Sequence, residues 1–348
     1  MMEGRLKIVA DSHIPFLDGV FEPFADVLLK DGGQICREDL RDADALLVRT
    51  RTRCDRTLLE GSGVKFIATA TIGTDHIDMK WCGSHGIEVC NAAGCNAGAV
   101  MQYVFTALYG VCAAKSIDLE GRTLGIIGVG HVGSRVEQAA RKLGFNVLLC
   151  DPPRAAKEGS GGFVSMEELL QNSDIVTMHT PLDASTKAMA GKDFFGLMRS
   201  GAVFINASRG EVVDEDALAE VSGKLGAVII DTWAGEPSIN GRLLEIADIA
   251  TPHIAGYSLL GKINGSEMSV RALGRHFGIK ELERFRVERK DEEVFRELPS
   301  ASMTQKELTA RLLDVYDVFG DDAALRSSVS SFEALRQGYE LRKELKII

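Results

Sequence analysis

An apolar run at residues 123–127 leads directly into a glycine-rich segment, Gly-Val-Gly-His-Val-Gly at 128–133, and this junction constrains the fold more than any other feature. A stretch of helical period follows, and then a second apolar run that ends at the acid Asp151. A strand, a glycine turn, a helix and a second strand that ends in an acid make up the βαβ unit that binds a dinucleotide. The sequence therefore predicts a parallel α/β fold that carries a dinucleotide site.

Each glycine has a physical task in such a loop. Gly128 makes the tight turn, Gly130 lets backbone amides approach a pyrophosphate, and Gly133 permits close packing of helix on strand. The loop residues expected to contact the cofactor are Gly128, Gly130, Val132 and Gly133. Asp151 would accept hydrogen bonds from ribose hydroxyls and repel a 2′-phosphate, which favours NAD over NADP. Arg154 leaves NADP open, and a glycine turn without a dinucleotide is the plainer alternative.

The rest of the chain alternates short apolar runs with segments of helical period, as in a parallel sheet with crossover helices. Strands are predicted at 6–10, 45–49, 65–69 and 88–90, and in a second block at 123–127, 146–150, 175–179, 203–206, 228–231 and 249–251. Helices are predicted near 16–29, 56–60, 76–85, 96–117 and 258–278, and in the tail at 305–319 and 332–345. The second block predicts a six-stranded doubly wound Rossmann unit. No strand series is predicted after Pro252, and the tail from residue 281 is expected to pack on another part of the molecule because it is too small for its own core.

Three ionisable residues each follow a predicted strand of the second block. Arg209 lies in Asn-Ala-Ser-Arg-Gly, Glu236 in Asp-Thr-Trp-Ala-Gly-Glu-Pro, and His253 in Thr-Pro-His-Ile-Ala-Gly. Because ligands bind at the carboxyl ends of parallel strands, these side chains are expected to meet there. Oxidation of a 2-hydroxy acid needs a base for the hydroxyl proton and a cation for the carboxylate. An imidazole backed by a carboxylate supplies the base, and the planar fork of an arginine supplies the cation.

We therefore predict that His253 is the catalytic base, Glu236 its partner and Arg209 the clamp on the substrate carboxylate. Each residue also has a plainer interpretation when taken alone. Arg209 would then form a surface ion pair, Glu236 would cap a helix, and His253 would be a hydrogen-bonded histidine of the core. Their occurrence together with the glycine loop favours the catalytic interpretation.

Overall charge narrows the range of partners. The chain carries 40 Lys and Arg against 50 Asp and Glu, a formal net charge of −10. This balance argues against general binding to nucleic acid or to an anionic membrane, so an anionic ligand must meet a local cluster of cations. The seven cysteines form no Cys-x-x-Cys pair, and neither disulfides nor a metal site is expected. The first residues lack the apolar segment of a signal peptide, and a cytoplasmic location is expected.

These segments resemble the signatures of the D-2-hydroxyacid dehydrogenase family in order and in spacing. The resemblance extends over nearly the whole chain and includes residues 48–50, 68–78, 93–97, 150–154, 206–214, 231–237, 253–257, 316–318 and 321–326. It implies a Rossmann NAD-binding domain at 97–255 inserted in a flavodoxin-like substrate-binding domain at 1–96 and 256–280. A small α+β dimerisation domain at 281–348, and hence a homodimer, is implied as well.

The resemblance also implies site residues and a substrate. NAD contacts are implied for Asp151, Thr180, Ala207, Ser208, Arg209, Asp231 and Gly256, and substrate contacts for Thr50, Thr71 and Tyr257. The implied substrate is a small phosphorylated 2-hydroxy acid. Two residues depart from the family pattern, Glu211 beside the clamp and Thr232 beside Asp231, and the tail ends earlier than the pattern leads us to expect.

A phosphate on the substrate requires its own cations. Arg49, Arg51 and Arg53 alternate after the second predicted strand, so in an extended segment they would point to one face. With the hydroxyls of Thr50 and Thr71 they form our candidate phosphate pocket, and a solvated basic rim is the alternative. Two other functions stay open: another D-2-hydroxyacid dehydrogenase of phosphoglycerate or glycerate type, and a non-catalytic NAD-sensing protein. The intact catalytic set speaks against the last.

Overall fold

The computed structural model describes residues 5–298 and 303–347 and divides the chain into two compact units. The first unit comprises Met1–Asn96 and Leu259–Glu293, and the second comprises Ala97–Ser258 and Val294–Ile348. The chain therefore leaves the first unit after residue 96, returns to it at residue 259 and ends in the second unit.

A five-stranded parallel sheet forms the centre of the first unit. Its strands are β1 (Leu6–Asp11), β2 (Ala25–Lys30), β3 (Ala45–Val48), β4 (Phe66–Thr69) and β5 (Glu88–Asn91), in the spatial order β2-β1-β3-β4-β5. This is the predicted flavodoxin-like order. Helices α1 (Arg56–Leu59) and α2 (Met79–Ser84) lie in the connections, and Asp55 and Asp78 cap them by accepting backbone N–H groups of the first turn.

The segment at 16–29 differs from its prediction as a helix. The structure has turns up to residue 24 and then the edge strand β2, which pairs with β1 along its whole length. Leu28 and Leu29 are 43% and 39% exposed, and Ala25 is the residue of β2 that is buried. The strand therefore shows neither the continuous apolar run of a central strand nor a regular alternation, and backbone pairing decides its conformation.

A long apolar helix, α3 (Ala97–Ala114), opens the second unit. By length and composition it could span a membrane, but 83% of its apolar window is buried inside the protein. It contacts α4 (His131–Lys142) and forms the centre of the largest apolar cluster of the unit. The helix is therefore a core helix, as the sequence predicts for this segment.

A six-stranded parallel sheet follows in the second unit. Its strands are β6 (Thr123–Ile127), β7 (Asn146–Cys150), β8 (Ile175–Met178), β9 (Val203–Asn206), β10 (Ala227–Ile230) and β11 (Ile249–Ala250). The helices between them after α4 are α5 (Pro152–Glu158), α6 (Met166–Asn172), α7 (Lys192–Leu197), α8 (Glu215–Val221) and α9 (Gly241–Ile246). The spatial order is β7-β6-β8-β9-β10-β11, which confirms the predicted doubly wound sheet. The order reverses at β6, so the glycine loop begins at the point where such sheets bind ligands.

After β11 the chain returns to the first unit in three helices. These are α10 (Leu259–Phe277), α11 (Lys280–Glu283) and α12 (Asp291–Val294), the last at the end of that unit. Helix α10 packs on β4 and β5. Gly265 makes this packing close, because a Cβ there would lie 2.8 Å from the carbonyl oxygen of Ala70.

The tail contains both helices and strands. It holds β12 (Phe295–Leu298), α13 (Gln305–Val315), α14 (Val318–Ser327), α15 (Phe332–Gln337) and β13 (Glu344–Ile347), and β12 pairs in parallel with β13. Two strands thus occur where the residue pattern alone predicts none, and the helix predicted to reach residue 345 ends at 337. Because β13 pairs with β12 and lies against α3, tertiary contacts override the helical period of this segment.

The tail is not the separate domain that the sequence analysis expects at residues 281–348. Helix α13 packs on α3 and α14 packs on β11, so residues 294–348 group with the nucleotide unit rather than standing apart as a domain at 281–348. Apolar side chains of the tail, among them Leu312 and Leu345, complete the core cluster around α3. Whether the tail also joins two copies of the chain stays a prediction.

Candidate active site

The glycine loop begins at the carboxyl end of β6. Gly128 has φ +83°, in the left-handed region that favours glycine, and a Cβ there would lie 2.8 Å from the carbonyl oxygen of His179. A Cβ at Gly133 would collide with the carbonyl of Gly128. At Gly130, in contrast, a Cβ would meet nothing within 4 Å. Packing thus requires the outer two glycines, while the middle one faces open space from which a pyrophosphate can approach the backbone.

Asp151 holds this loop in place. Its Oδ2 accepts a hydrogen bond from the Val129 N–H at 2.8 Å, and its Oδ1 accepts from the Arg154 N–H at 3.0 Å as the cap of α5. The Arg154 guanidinium donates to both oxygens of Glu158, at 2.8 and 2.7 Å, and to the Val129 carbonyl at 2.7 Å. An arginine engaged by these partners offers little free charge to a 2′-phosphate, which supports NAD over NADP.

Two buried polar atoms follow β8, beside the glycine loop. The Oγ1 of Thr180 and the Nδ1 of His179 have no hydrogen-bond partner among the described residues. Burial lowers the pKa of His179 to about 3, so its ring is neutral, and its Nε2 lies 3.1 Å from Oγ1 of Thr177. Unpaired buried polar atoms are costly, so they fit a crevice whose ligand supplies the missing partners. The residues of this crevice therefore fit NAD.

His253 and Glu236 form a hydrogen-bonded pair beyond the carboxyl ends of β10 and β11. Nδ1 of His253 lies 2.8 Å from Oε2 and 3.1 Å from Oε1 of Glu236, and the Trp233 N–H donates to Oε1 at 2.9 Å. Because an ionised carboxylate can only accept, Nδ1 carries a proton, and Nε2 of the neutral ring carries a lone pair. The structure thus brings together two of the predicted catalytic residues in the arrangement of a general base and its partner.

The charge state of Glu236 follows from its surroundings. Burial alone would raise its pKa, but the hydrogen bond and charge of His253 outweigh this effect, with help from the Trp233 N–H and the charge of Arg336. The pKa of Glu236 therefore lies below its usual range, and the carboxylate is ionised at neutral pH. An ionised partner stabilises the imidazolium that forms when His253 takes a proton.

The loop that carries His253 is held from two sides. Asp231 accepts hydrogen bonds from the N–H groups of Ile254 and Ala255, at 2.8 and 3.0 Å. Arg342, from the tail, donates to the carbonyl oxygens of the same two residues, at 3.1 Å for Ile254. Amides and carbonyls of one short segment are thus anchored by opposite charges, and the position of the imidazole is fixed with them.

Arg209 follows β9 and is half-buried. Its Nη1 donates to the carbonyl of Ser208 at 2.8 Å, and its own carbonyl accepts from the side-chain amide of Asn206 at 3.0 Å. The next residue, Gly210, packs so closely on the backbone of Trp233 that a side chain would not fit. The loop that carries Arg209 is therefore adjacent to the loop that leads to Glu236. Glu211, the acid beside the clamp, is exposed.

The other residues predicted to contact NAD or substrate in this unit are also described by the structure. Ser208 is 7% exposed and its Oγ donates to Asn206, while Asp231 is 1% exposed and both its carboxylate oxygens bind the 251–255 segment. Residues that are half-buried comprise Val132, Ala207, Gly256 and Tyr257. The rings of Tyr257 and Tyr339 lie edge to face, 5.9 Å apart. The ligand contacts of these residues stay predictions.

In the first unit, Arg49 is held by a buried acid. Its Nε lies 2.9 Å from Oδ2 of Asp11, whose side chain is fully buried at the end of β1. Arg53, in contrast, is 85% exposed and pairs with Asp55 at 3.0 Å. Alternation along the sequence therefore does not give these two arginines the same environment, because only one of them meets a buried carboxylate. The guanidinium of Arg49 is therefore held in place by its ion pair, whereas the Arg53 side chain is largely in solvent.

Two threonines lie at neighbouring strand ends of the same unit. Val48 pairs with Thr69 across β3 and β4, so Thr50 and Thr71 follow these strands at matching positions. Oγ1 of Thr71 is 2.7 Å from Oγ1 of Thr69, which in turn lies 3.2 Å from Nε2 of His76. The two threonines that are predicted to contact the substrate thus follow strands at the carboxyl edge of the sheet, where ligands bind in parallel α/β folds.

Sequence reasoning missed two arginines of the tail, Arg336 and Arg342. Nη1 of Arg336 lies 3.9 Å from Oε2 of Glu236. Nothing in the local sequence separates these arginines from solvated charges on a helical tail, and their role emerges only from the packing of the tail on the nucleotide unit. Within residues 5–298 and 303–347, no group of three or more His, Cys, Asp or Glu side chains could hold a metal ion.

Comparison with known proteins gives one consistent result. Residues 109–255 match the family of the D-isomer specific 2-hydroxyacid dehydrogenase NAD binding domain. The chain is 44% identical over 346 residues to an erythronate-4-phosphate dehydrogenase from Bacteroides fragilis, with 97% of each chain covered. It is 39% identical to that of Escherichia coli O127:H6, over 97% of this chain and 92% of the relative. The chain belongs to the D-2-hydroxyacid dehydrogenase family.

Solved structures of D-2-hydroxyacid dehydrogenases share the fold. A D-lactate dehydrogenase from Aquifex aeolicus, complexed with NAD and lactic acid, superposes with a TM-score of 0.67 at 26% identity, over 79% of this chain and 96% of that one. NAD-bound 3-phosphoglycerate dehydrogenase from Entamoeba histolytica gives 0.66 at 25% identity, over 82% and 99%. These findings confirm the predicted family, the Rossmann fold and NAD as cofactor, and this D-2-hydroxyacid dehydrogenase is an NAD-dependent oxidoreductase.

Proposed function

We propose that this chain oxidises 4-phospho-D-erythronate to 3-hydroxy-2-oxo-4-phosphooxybutanoate with NAD, a step in pyridoxal 5′-phosphate (vitamin B6) biosynthesis. The observation that carries the proposal is the His253–Glu236 pair, hydrogen-bonded at 2.8 Å in the nucleotide unit. A 2-hydroxy acid can be oxidised where such a base stands near a hydride acceptor. The identity of the substrate is inferred from relatives at 39–44% identity that are named erythronate-4-phosphate dehydrogenases.

The residues divide the reaction between them. Nε2 of His253 accepts the proton of the 2-hydroxyl group, while Glu236 holds Nδ1–H and stabilises the resulting imidazolium. Arg209 pairs with the substrate carboxylate and polarises the oxygen that becomes the carbonyl. The glycine loop, Thr180 and Asp151 would hold NAD, which would supply the acceptor for the hydride from C2. One proton and one hydride are removed in total, which balances the conversion of hydroxyl to ketone.

The phosphate of the substrate requires a second anionic subsite. We assign it to Arg49 with the hydroxyls of Thr50 and Thr71, and we assign a further substrate contact to Tyr257. The support is the ion pair with buried Asp11, which fixes the Arg49 side chain at the carboxyl edge of the sheet. Nε and Nη2 of Arg49 both bind Asp11, at 2.9 and 3.4 Å, so the Nη1 side of the guanidinium is the part that we assign to the phosphate.

We also propose that the enzyme acts in the cytoplasm and as a homodimer formed through residues 281–348. All seven cysteines are free, which fits a reducing compartment. The dimer rests on the resemblance to the family. The net charge of −10 supports a small-molecule partner rather than nucleic acid or a membrane surface.

The proposed substrate is tested by turnover. The purified enzyme is given 4-phosphoerythronate, 3-phosphoglycerate, glycerate or D-lactate with NAD, with and without 2-oxo acids as acceptors of retained hydride, while NADH and products are followed. We expect the highest kcat/KM for 4-phosphoerythronate. A preference for 3-phosphoglycerate, glycerate or D-lactate would contradict the proposed substrate. NADH binding without turnover of any substrate would instead favour a sensor protein.

A further inference from the structure

Arg336 reaches the catalytic pair from the tail. Its Nη1 lies 3.9 Å from Oε2 of Glu236, the oxygen to which Nδ1 of His253 donates at 2.8 Å. The same Nη1 lies 3.0 Å from Oε1 of Glu333, one turn earlier in α15. The Arg336 side chain is 16% exposed, and its Nε is buried without a hydrogen-bond partner among the described residues. A cation this buried needs nearby anions, and the two glutamates supply them.

Charged and titratable groups from several elements act on this cluster. Glu236 interacts with His253 and Arg336, Arg336 interacts with Glu236, Glu333 and Tyr257, and His253 acts on the buried Asp231. In this set Arg336 is the fixed cation. Glu236 and Glu333 interact with Arg336, and Glu236 and Asp231 interact with His253. Removal of Arg336 would take away the cation that faces Glu236 and Glu333.

We propose that Arg336 is a positioning residue, whose guanidinium faces the Glu236 carboxylate and holds it oriented as the acceptor of the His253 Nδ1 proton. Nε2 is thereby the atom left to receive the proton of the substrate. The inference rests on the role proposed above for His253 as the base. A fixed positive charge beside Glu236 acts against a second positive charge on the imidazole, so removal of Arg336 should make protonation of His253 easier.

Histidine titration by NMR tests the inference without any substrate. The full-length protein is labelled at its seven histidines, and the His253 signal is assigned by its loss in His253→Asn. Arg336→Met removes the charge at similar length, Arg336→Lys keeps it, and Glu333→Gln removes the neighbouring anion. Arg311→Met, at an exposed position of α13, is the matched control for loss of an arginine from the tail.

We expect His253 to titrate about 0.5 to 1 pH unit higher in Arg336→Met, the size expected for one partly screened charge at short range. The His253 signal should titrate at lower pH in Glu333→Gln. Its titration should be unchanged in Arg336→Lys and in Arg311→Met. With a substrate that the enzyme oxidises, the acidic limb of kcat/KM should follow the same shifts.

Two results would overturn the inference. One is a His253 titration in Arg336→Met within about 0.2 unit of the parent protein, and the other is an equal shift in Arg311→Met. If circular dichroism shows that Arg336→Met does not fold, Glu333→Gln decides, because an unmoved or raised titration there contradicts the charge argument. The titration stands even if 4-phosphoerythronate proves to be the wrong substrate, so the two failures are distinguishable.

Discussion

His253 adopts a backbone conformation that few side chains adopt, with φ at +56°. Such a conformation costs on the order of 1–3 kcal/mol and persists only where contacts over-determine it. Here Asp231 and Arg342 hold the following two residues by their amides and carbonyls. The sequence predicts His253 as the base from its place after a strand. It cannot predict the conformation, because that depends on an arginine of the distant tail.

Replacement of His253 by Asn tests the base directly. We expect kcat to fall by roughly 10² to 10⁴, because the proton acceptor is lost, while NADH affinity stays nearly constant. Asn tolerates the left-handed conformation, so the loop is retained. Stopped-assay rates and NADH fluorescence titration measure the two effects, with His85→Asn, at the exposed residue that follows α2, as the control. A loss of less than tenfold would identify another base.

At the level of elements, burial decides what the sequence can predict. Strands β3, β4 and β8 to β10 are buried along their whole length and appear in the sequence as short apolar runs. Edge strand β2 and the tail strands β12 and β13 lack this pattern. Phe295 pairs with Glu344, far away in sequence, so no local signal marks either strand. The same reason hides Arg336 and Arg342, whereas Arg209, Glu236 and His253 follow predictable strands.

The packing of α13 on α3 predicts that tail and nucleotide unit unfold together. Leu312 of α13 is fully buried in the shared core cluster, so Leu312→Ala should cost about 2–5 kcal/mol of unfolding free energy. Urea unfolding followed by circular dichroism and by bound NADH should shift to lower denaturant by both probes. Leu28→Ala, at a position 43% exposed on β2, should change little. A separate tail transition that leaves NADH binding unchanged would contradict this prediction.

On the scale of the whole molecule, an acidic protein must bind an acidic substrate. The net charge of −10 keeps the surface unattractive to polyanions. Cations at the candidate sites have close partners in the structure: Asp11 for Arg49, the Ser208 carbonyl for Arg209, and carboxylates for Arg336. Individual contacts therefore fix the position of each positive charge, and in the proposed site a few arginines rather than a basic surface would recognise the substrate.

The assembly state is a further prediction for the whole molecule. We expect the full-length chain to sediment at twice the mass of one chain, with dissociation on dilution as mass action requires. The tail exposes Phe319, 37% accessible on α14, and an exposed aromatic side chain there is consistent with an interface. Sedimentation velocity over a range of concentrations measures the association. A single-chain species at every concentration would contradict the homodimer.

The hydrogen bonds from Arg342 to the loop of His253 have a consequence for the order in which the chain is synthesised and folds. The carbonyl of Ile254 is synthesised 88 positions before the arginine that anchors it. Domains generally fold from the N-terminus as the chain emerges, so the Rossmann sheet can form while its catalytic loop is still unanchored. A polypeptide interrupted between residues 255 and 342 would carry Arg209, Glu236 and the proposed base His253 and still lack the arginine that holds the loop of His253. The support of the proposed base therefore forms only after synthesis has passed residue 342.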